Sequence, residues 1–585
     1  MITAKIKKHW PIIIFSLIVG FLVIYPTLAS IYRLGAAEFK GVYPVFNYDR
    51  FHYMATIEDV YEGHLGLGHA FFKEHKNQPY IQPPLAGLFF SSIAKITHLN
   101  IPDLFFAMDF VLPILTILLL YLLFYRLSGS RLLSFAFTAL HAAIYLAHYY
   151  MSVNPQLSFI LFFFGLYFLM RVYILESGGR VRAVMSLLTG MTTGILVYIY
   201  PYFWTSLFVL FFICAAFFYF YEKKNIAYIK NCGYYLAAFL IIFLPYLFNM
   251  YEAVKDVNYT ETMLRFGMLN THWPSAYYNI IILATALSAI ILAKRFFDNK
   301  KLWYFALALP LSGIILSWQN VITGKFLQFS THYQRIAVLF SMMVFILIFS
   351  RANLDKIKAE KKRSVALLII FFLFVFLALN KEIKRNIDWF SDAFSKQKMA
   401  DLQAMSPLFD WLKNNTLNDS VIFTLNNNLE MYLPVYSRNN LYYQGYGGYY
   451  LMSDNELENR FMARVIFDKS LDENTLKQDD LSIWNNKFVD QYQNAQVKYK
   501  IFGKILPWIK KPTVMVPAEY RERLINKYRE YKNGKAEDLI RKYELDYVII
   551  SDFDQDWREQ QKIIEDLKFF KLEKNLGHYW IYKMI

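Results

Sequence analysis

Asp49, in the segment NYDRFHY, has the clearest chemical potential of any side chain in the sequence. An acid just ahead of a helical stripe can cap that helix by accepting backbone N–H bonds. The same carboxylate, held beside a membrane surface, can take a proton from a hydroxyl. The two roles are compatible. Glu58 and Asp59 follow one or more turns later and read first as a solvated face, with an auxiliary role open to them. A second constellation lies in QNVITGKFLQFSTHYQR, residues 319–335. There Lys325, His332 and Arg335 are interleaved with Thr323, Ser330 and Tyr333. Cations and hydroxyl donors in one short loop can grip a phosphate head group. Tyr and Arg also serve as plain interfacial anchors.

Weaker pointers accompany these. Arg265, in MLRFGMLNTHW, is a further phosphate contact or a simple loop charge. Asn154 and Gln156, in MSVNPQ, are uncharged donors between two apolar runs. Asp109 lies near the outer end of an apolar run, where an acid either has a function or reaches the interface. No short loop clusters carboxylates with histidines, so no metal site is expected. Cys214 and Cys232 lie in or beside apolar runs, which leaves the polar segments without a disulfide framework. Asn258-Tyr259-Thr260, Asn414-Asn415-Thr416 and Asn418-Asp419-Ser420 match the glycosylation acceptor pattern, but such tripeptides arise by chance in an Asn-rich chain.

The elements that must position these residues belong to a membrane. Of 585 residues, 56% are hydrophobic, 19% aromatic and only 18% charged, against about 25% charged in soluble chains. Residues 11–28 carry no charge, and 156–170, 183–199, 203–220, 233–250, 277–293, 302–318, 336–350 and 365–380 are almost as clean. A span needs about 20 mostly apolar residues, and buried core helices do not occur in such a series. The first run follows Lys5, Lys7 and Lys8 as a signal peptide would, but an uncleaved helix is the better reading because no small-residue cleavage site follows. The net charge of +16 suggests nucleic acid until its distribution is read. With the N-terminus inside, the basic clusters fall on inner segments and the short outer loops near 149–155 and 200–202 have none, an alternation that holds over about eleven spans. An odd number puts the C-terminal part outside.

Two polar regions break the series. Residues 29–103 form a long first outer segment with two short helices expected at the membrane surface, one in DRFHYMATIEDVYEGH and one in PPLAGLFFSSIAKITHL. Residues 381–585 change character. VIFTL, YLPVYS, YVIIS and YWIYKM read as strands, and KAEDLIRKYEL and DWREQQKIIEDLKFF as helices, giving an α/β domain of roughly 200 residues. The fold class is thus mainly α: a polytopic helical bundle over residues 1–380, followed by a soluble α/β domain over 381–585.

These pieces together resemble the GT-C glycosyltransferases, multi-span enzymes that take sugars from polyprenyl-linked donors. The resemblance rests on the acid and helix of YDRFHYMATIEDVYEGHLGLGHAFFKEHKNQPYIQPPL, on NPQ after the third span, on the late loop NVITGKFLQFSTHYQR, and on the closing α/β domain with NNLEMYLPVYSRNNLYYQGYGGYYLMSDNELENRF near its start. It covers most of residues 1–380. It implies that Asp49 is catalytic and that Lys325, His332, Arg335, Arg265 and Tyr333 surround the donor phosphate, with Glu58, Asp59, Asp109 and Asn154 as auxiliary positions. Many members carry a second acid directly after the first, where this chain has Arg50. Metal-dependent members have an acid in the second outer loop, where MSVNPQ has none. Both departures imply an enzyme without a metal or other cofactor, or an inactive relative. The implied partners are a polyprenyl-phosphate sugar, a glycan, lipid or protein acceptor and the bilayer, in a plasma membrane. Tyr442, Tyr443 and Tyr446 could stack on a glycan, though core positions fit most of them better. A flippase of lipid-linked glycans and a non-catalytic envelope assembly protein are the rival readings. A flippase would use ionisable groups and broken helices near the midplane, and few such groups are present.

Overall fold

A computed structural model describes residues 2–45, 48–175, 178–273, 277–294, 297, 299–326, 330–351, 380–381, 384, 395–468, 471–476 and 482–585. Ten helices build the bundle among these residues: α1 (Ile2–Leu34), α4 (Ile101–Ser128), α5 (Arg131–Tyr145), α6 (Ser158–Met170), α7 (Gly179–Val197), α8 (Pro201–Tyr221), α9 (Ala227–Lys255), α11 (Tyr277–Ala293), α12 (Lys300–Ser317) and α14 (Tyr333–Arg351). Six described segments are long and apolar enough to cross a membrane: Lys8–Leu34, Ile101–Ser128, Ser152–Leu175, Pro201–Tyr221, Ala227–Lys255 and Tyr333–Arg351. The run at 365–380, expected as the last span, lies outside the described residues.

Local chemistry sets the helix ends. Asn100 caps α4 by accepting from the Asp103 amide at 2.8 Å, and Gly129, at φ 67°, ends it with its N–H on the Tyr125 carbonyl. At 1.5 Å per residue α4 is about 42 Å long, against a hydrocarbon core of about 30 Å. Close packing of α7 and α9 depends on Gly190 and Gly194, one turn apart. A Cβ on Gly190 would lie 2.2 Å from the Tyr235 carbonyl oxygen, and one on Gly194 2.8 Å from the Ile242 Cβ. Small residues four apart let two backbones approach where lipid offers no hydrophobic drive.

The segment between α1 and α4, the first outer segment of the sequence reading, carries α2 (Tyr48–Tyr61) and α3 (Leu85–Thr97). Helix α10 (Tyr259–Arg265), strand β1 (Leu269–Asn270), the short helix α13 (Gln319–Thr323) and strand β2 (Lys325–Phe326) fill the loops that follow α9 and α12. β1 and β2 pair antiparallel, Leu269 opposite Phe326 and Asn270 opposite Lys325.

The C-terminal domain is an α/β layer around a five-stranded sheet in the order β4-β3-β5-β7-β6. Its strands are β3 (Val421–Thr424), β4 (Asn440–Leu441), β5 (Tyr547–Ser551), β6 (Phe570–Leu576) and β7 (Tyr579–Met584). β4, β3 and β5 are parallel, while β7 runs antiparallel to both β5 and β6. The YLPVYS run, expected as a strand, is instead the end of a helix, α15 (Asn427–Tyr436). Asn426 caps it through the Leu429 amide at 3.0 Å. All six of these residues are buried, and a short run covered on every side has no polar alternation to reveal its period. Strand β6 is mostly exposed and Lys-rich, as an edge strand should be, and that polarity hid it from the pattern.

The domain closes over the first outer segment. The Gln403 side chain accepts from the Lys40 amide and donates to the Val42 carbonyl, both at 2.8 Å. The Tyr43 amide donates to the Tyr436 hydroxyl at 2.9 Å. Helix α2 packs between α3 and α15. Glu58 and Asp59 were expected on a solvated face; α15 and its neighbours cover that face. Asp59 is buried against Lys76, and His64 bridges Asp59 at 3.0 Å and Asp419 of the domain at 3.1 Å. Lys76 also reaches Asp419, at 3.3 Å. Hydrogen bonding to Asp59 leads the effects that raise the His64 imidazole above its ordinary value. Burial, opposed by Lys413, pushes the Glu58 carboxyl up to about 8.

Glu58 therefore makes docking depend on pH. Below the ordinary carboxylate value it is neutral whether docked or released. Above that value the released loop ionises it and the docked loop does not, so the docked state loses stability until pH passes about 8. Glu58→Gln should raise the thermal unfolding temperature in detergent near pH 8, by the equivalent of about 1–2 kcal/mol, and leave it unchanged near pH 4. An equal effect at both pH values would contradict this burial.

Candidate active site

Asp49 lies exposed in the first turn of α2, where the helix dipole favours a carboxylate. Its partner comes from the C-terminal domain: the Tyr446 hydroxyl donates to Asp49 Oδ1 at 3.0 Å. Tyr446 sits on the tight turn Gly445–Tyr449. Gly447 lets that turn press against Phe72, since a Cβ there would fall 2.5 Å from the ring. The Tyr446 ring stacks on His52, one turn along α2 from Asp49, with centroids 5.4 Å apart. Burial lowers the His52 imidazole to about 4, so it stacks as a neutral ring. Burial and the nearby Asp49 charge raise the Tyr446 phenol, which stays protonated and able to donate.

One turn along α2, the Tyr53 hydroxyl accepts from Asn154 Nδ2 at 3.1 Å. Tyr200, at the start of α8, gathers the late loop. Arg335 Nη1 donates to the Tyr200 hydroxyl, which lies on His332 Nδ1, both at 2.7 Å. Arg335 can only donate; a phenol proton directed at His332 Nδ1 places the imidazole proton on Nε2, the tautomer used in the proposed reaction. Burial first, then the Arg335 charge, lowers His332 to about 3. His332 is thus a neutral donor rather than the cation its sequence context suggests. Burial also raises the Tyr53 phenol, to about 12, and the Tyr200 phenol, while Asp49 and Arg335 both act on each.

Arg335 is the centre of positive charge. It is only 7% exposed. Its contacts are the Tyr200 hydroxyl and ring, and its Nε has no hydrogen-bond partner among the described residues. A buried guanidinium without a carboxylate is costly unless an anion joins it. Two residues before it, Tyr333 lines an apolar groove of about 370 Å³ together with Trp204, Phe208, Phe239, Phe243 and Leu316 among others. The Tyr333 hydroxyl meets Thr205 on the same wall at 3.1 Å.

Asp109 works behind this array. It is 4% exposed. Arg50 Nη1 donates to its Oδ2 and Ser152 Oγ to its Oδ1, each at 2.5 Å. One carboxylate on α4 thereby holds the neighbour of Asp49 and the loop that carries Asn154. The other sequence candidates lie elsewhere. Lys325 is exposed in the β1–β2 ribbon. Arg265, fully buried, donates to Asp454 and to the Gly448 and Met452 carbonyls of the C-terminal domain. It joins α10 to that domain and has no open face for a phosphate. Tyr442 and Tyr443 are core residues at 0% and 7% exposure, which leaves Tyr446 as the tyrosine of that group at the site. The sequence reading missed Tyr53, Tyr200 and the role of Tyr446. Tyr53 was within reach of it, since a residue four after Asp49 shares its helical face.

The two arginines make a stability test. Arg265→Gln should cost about 3–5 kcal/mol, because it breaks a buried ion pair, leaves the Asp454 carboxylate to Lys487 alone and takes the donor from the Gly448 and Met452 carbonyls. Arg335→Gln removes a buried charge that has no counter-ion among the described residues, so thermal unfolding in detergent should be unchanged or slightly raised. Equal losses in the two variants would mean that Arg335 is a structural ion partner like Arg265.

No protein-family profile and no curated protein matches the chain in sequence. The structure is similar to ArnT from Cupriavidus metallidurans bound to undecaprenyl phosphate, with a TM-score of 0.47 and 9% identity over 99% of this chain and 98% of that one. The apo state of the same protein gives 0.47 and 10%, over 100% and 98%. The archaeal oligosaccharyltransferase AglB from Archaeoglobus fulgidus, in complex with an inhibitory peptide and a dolichol-phosphate, gives 0.44 and 11%, over 98% of this chain and 74% of that one. Likenesses of this strength leave the functional case to the residues of the site.

Proposed function

We propose that this protein is a membrane glycosyltransferase of the GT-C kind, which moves a sugar from a polyprenyl-phosphate donor to an envelope glycan, glycolipid or protein. The observation that carries the reading is Arg335, buried and without a carboxylate partner among the described residues, acting with the carboxylate of Asp49 on the same two phenols, Tyr53 and Tyr200, with an apolar groove at Tyr333 in the same loop-to-helix turn. A lipid phosphate has the two properties this arrangement asks for: an anionic head for Arg335 and a hydrocarbon tail for the groove.

In the proposed reaction Asp49 takes the proton of an acceptor hydroxyl. The oxygen forms its bond to the anomeric carbon from the face opposite the phosphate. The bond from that carbon to the phosphate oxygen breaks, its electron pair leaves with the phosphate, and the configuration inverts. A positioned base is worth about 10²–10⁴ in rate. Arg335, with the Nε2–H of neutral His332, offers donors to the charge growing on the leaving phosphate, where fixed donors act best out of water. Tyr446 holds the Asp49 carboxylate, and Asn154 and Asp109 are positioning residues. Catalysis without a metal is part of the proposal. Its support is that Arg50 takes up the Asp109 carboxylate and fills the position after Asp49 with positive charge. The orientation follows the basic segments: N-terminus in the cytoplasm, site and C-terminal domain outside.

Membranes given radiolabelled polyprenyl-phosphate sugars and a crude envelope acceptor fraction provide the test. Wild type should move label off the lipid. Asp49→Asn should lose about 10²–10⁴ in turnover with donor binding intact. Arg335→Gln should lose about 10²–10³ in kcat/KM, and Tyr446→Phe about tenfold in kcat. If Asp49→Asn transfers sugar as fast as wild type, the assignment of the base fails. If no donor yields transfer and label instead crosses the bilayer, the protein is a flippase.

A further inference from the structure

Residues 498–514 of the C-terminal domain read KYKIFGKILPWIKKPTV. Five lysines fall here (Lys498, Lys500, Lys504, Lys510 and Lys511), and no acid occurs between Gln491 and Ala518. Large apolar side chains face outward among them: Ile505 and Trp508 are each 73% exposed, with Ile501 and Val514 about half exposed. The segment is not frayed. The Ile505 and Leu506 amides bond to the Phe502 carbonyl at 2.9 and 2.8 Å, and the Ile509 amide bonds to Leu506 at 3.0 Å. Hydrogen bonds thus fix Ile505 and Trp508 in an outward position. Single exposed apolar residues need no explanation, but a contiguous group with an indole at its centre does.

The neighbours show what faces it. Phe502 meets the edge of Trp273, centroids 5.3 Å apart, and Lys498 Nζ lies 4.5 Å over the same indole. The Trp273 carbonyl accepts from Asn320 of α13 at 2.7 Å. Helix α13 is the turn that directly follows bundle helix α12; on it Ile322 is 84% exposed and Val321 is exposed too, as is Trp318 at the junction of the two helices. The lysine-rich turn therefore sits at the level where the bundle helices end, in line with a second exposed apolar group. An indole among isoleucines, rimmed by lysines, suits the boundary between acyl chains and head groups. The rings and aliphatic chains enter, and the ammonium groups stay on the phosphates.

We infer that residues 498–514 seat the C-terminal domain on the outer face of the bilayer, with Trp508 and Ile505 in the head-group boundary and the lysines on anionic lipid phosphates. The charge pattern selects this occupant. A second copy would bring five lysines against five in a two-fold contact. A soluble acidic glycan would engage the lysines and leave Trp508 and Ile505 in water.

The test uses the full chain with Cys214 and Cys232 replaced by Ala and Ile505→Cys carrying a solvatochromic thiol dye. The protein sits in nanodiscs of phosphatidylcholine alone or with about a third phosphatidylglycerol. A second chain carries the dye through Lys562→Cys, at an exposed position of the domain away from the segment. At 505 the dye should be blue-shifted. Brominated acyl chains should quench it at least about threefold more than they quench the dye at 562, and iodide should quench it correspondingly less. Exchanging the five lysines for Gln should erase the difference between the two disc compositions. Free iodide quenching at 505 in both discs would overturn the inference. So would protection in detergent by an added anionic polysaccharide, or protection that grows with protein concentration.

Discussion

Two buried ion pairs hold the helix that carries Asp49, and the remainder of the site depends on where they put it. Arg50 ties α2 to Asp109 of the bundle, and Asp59 ties it to Lys76, which shares Asp419 with the C-terminal domain. Such pairs add little net stability, because desolvation offsets most of their attraction, but removing one partner costs about 3–5 kcal/mol. They therefore act as pins for position. A sliding α2 would strand a charge at both ends, so the helix has one docked position between bundle and domain. Asp49 takes its place from that position.

The C-terminal domain is accordingly part of the candidate site and not an appendage to it. It supplies the hydroxyl on Asp49 through Tyr446. The turn that presents Tyr446 is itself wedged against Phe72 of the first outer segment through Gly447. Arg265 secures the opposite end of the same turn by donating to the Gly448 carbonyl. Two loops of the membrane part and one turn of the domain thus define a single phenol–carboxylate contact.

Much of this was legible in the sequence, for a physical reason. In a chain with long uncharged runs, a charge between spans is rare and so informative. Asp49, His332 and Arg335 stood out for that reason, as did the bundle itself. The tyrosines did not. The chain has 45 of them, a phenol suits core and site equally well, and Tyr446 meets its carboxylate across 397 residues of chain. Glu58 and Asp59 were read as solvated because a helix read alone shows only one apolar stripe, and the second cover on α2 comes from distant α15. Arg265 was misread for the same reason. A lone basic residue in a loop gives no sign of the buried Asp454 that it will meet.

The two phenols also resolve an electrostatic difficulty in the proposed reaction. A base needs its negative charge free for an incoming proton, and a phosphate site needs its positive charge free for an anion. If Asp49 and Arg335 paired directly, each would cancel the other. Instead Tyr53 and Tyr200 feel both charges, and burial keeps them protonated and uncharged. Arg335 is directed at Tyr200 and Asp49 is held by Tyr446, each by a neutral hydroxyl. The neutral state of His332 fits the same scheme, since a second cation there would make Arg335 harder to bury. The site thus keeps one negative and one positive group, separated by neutral hydrogen-bonding rings, and displacement between an attacking hydroxyl and a departing phosphate calls for that separation.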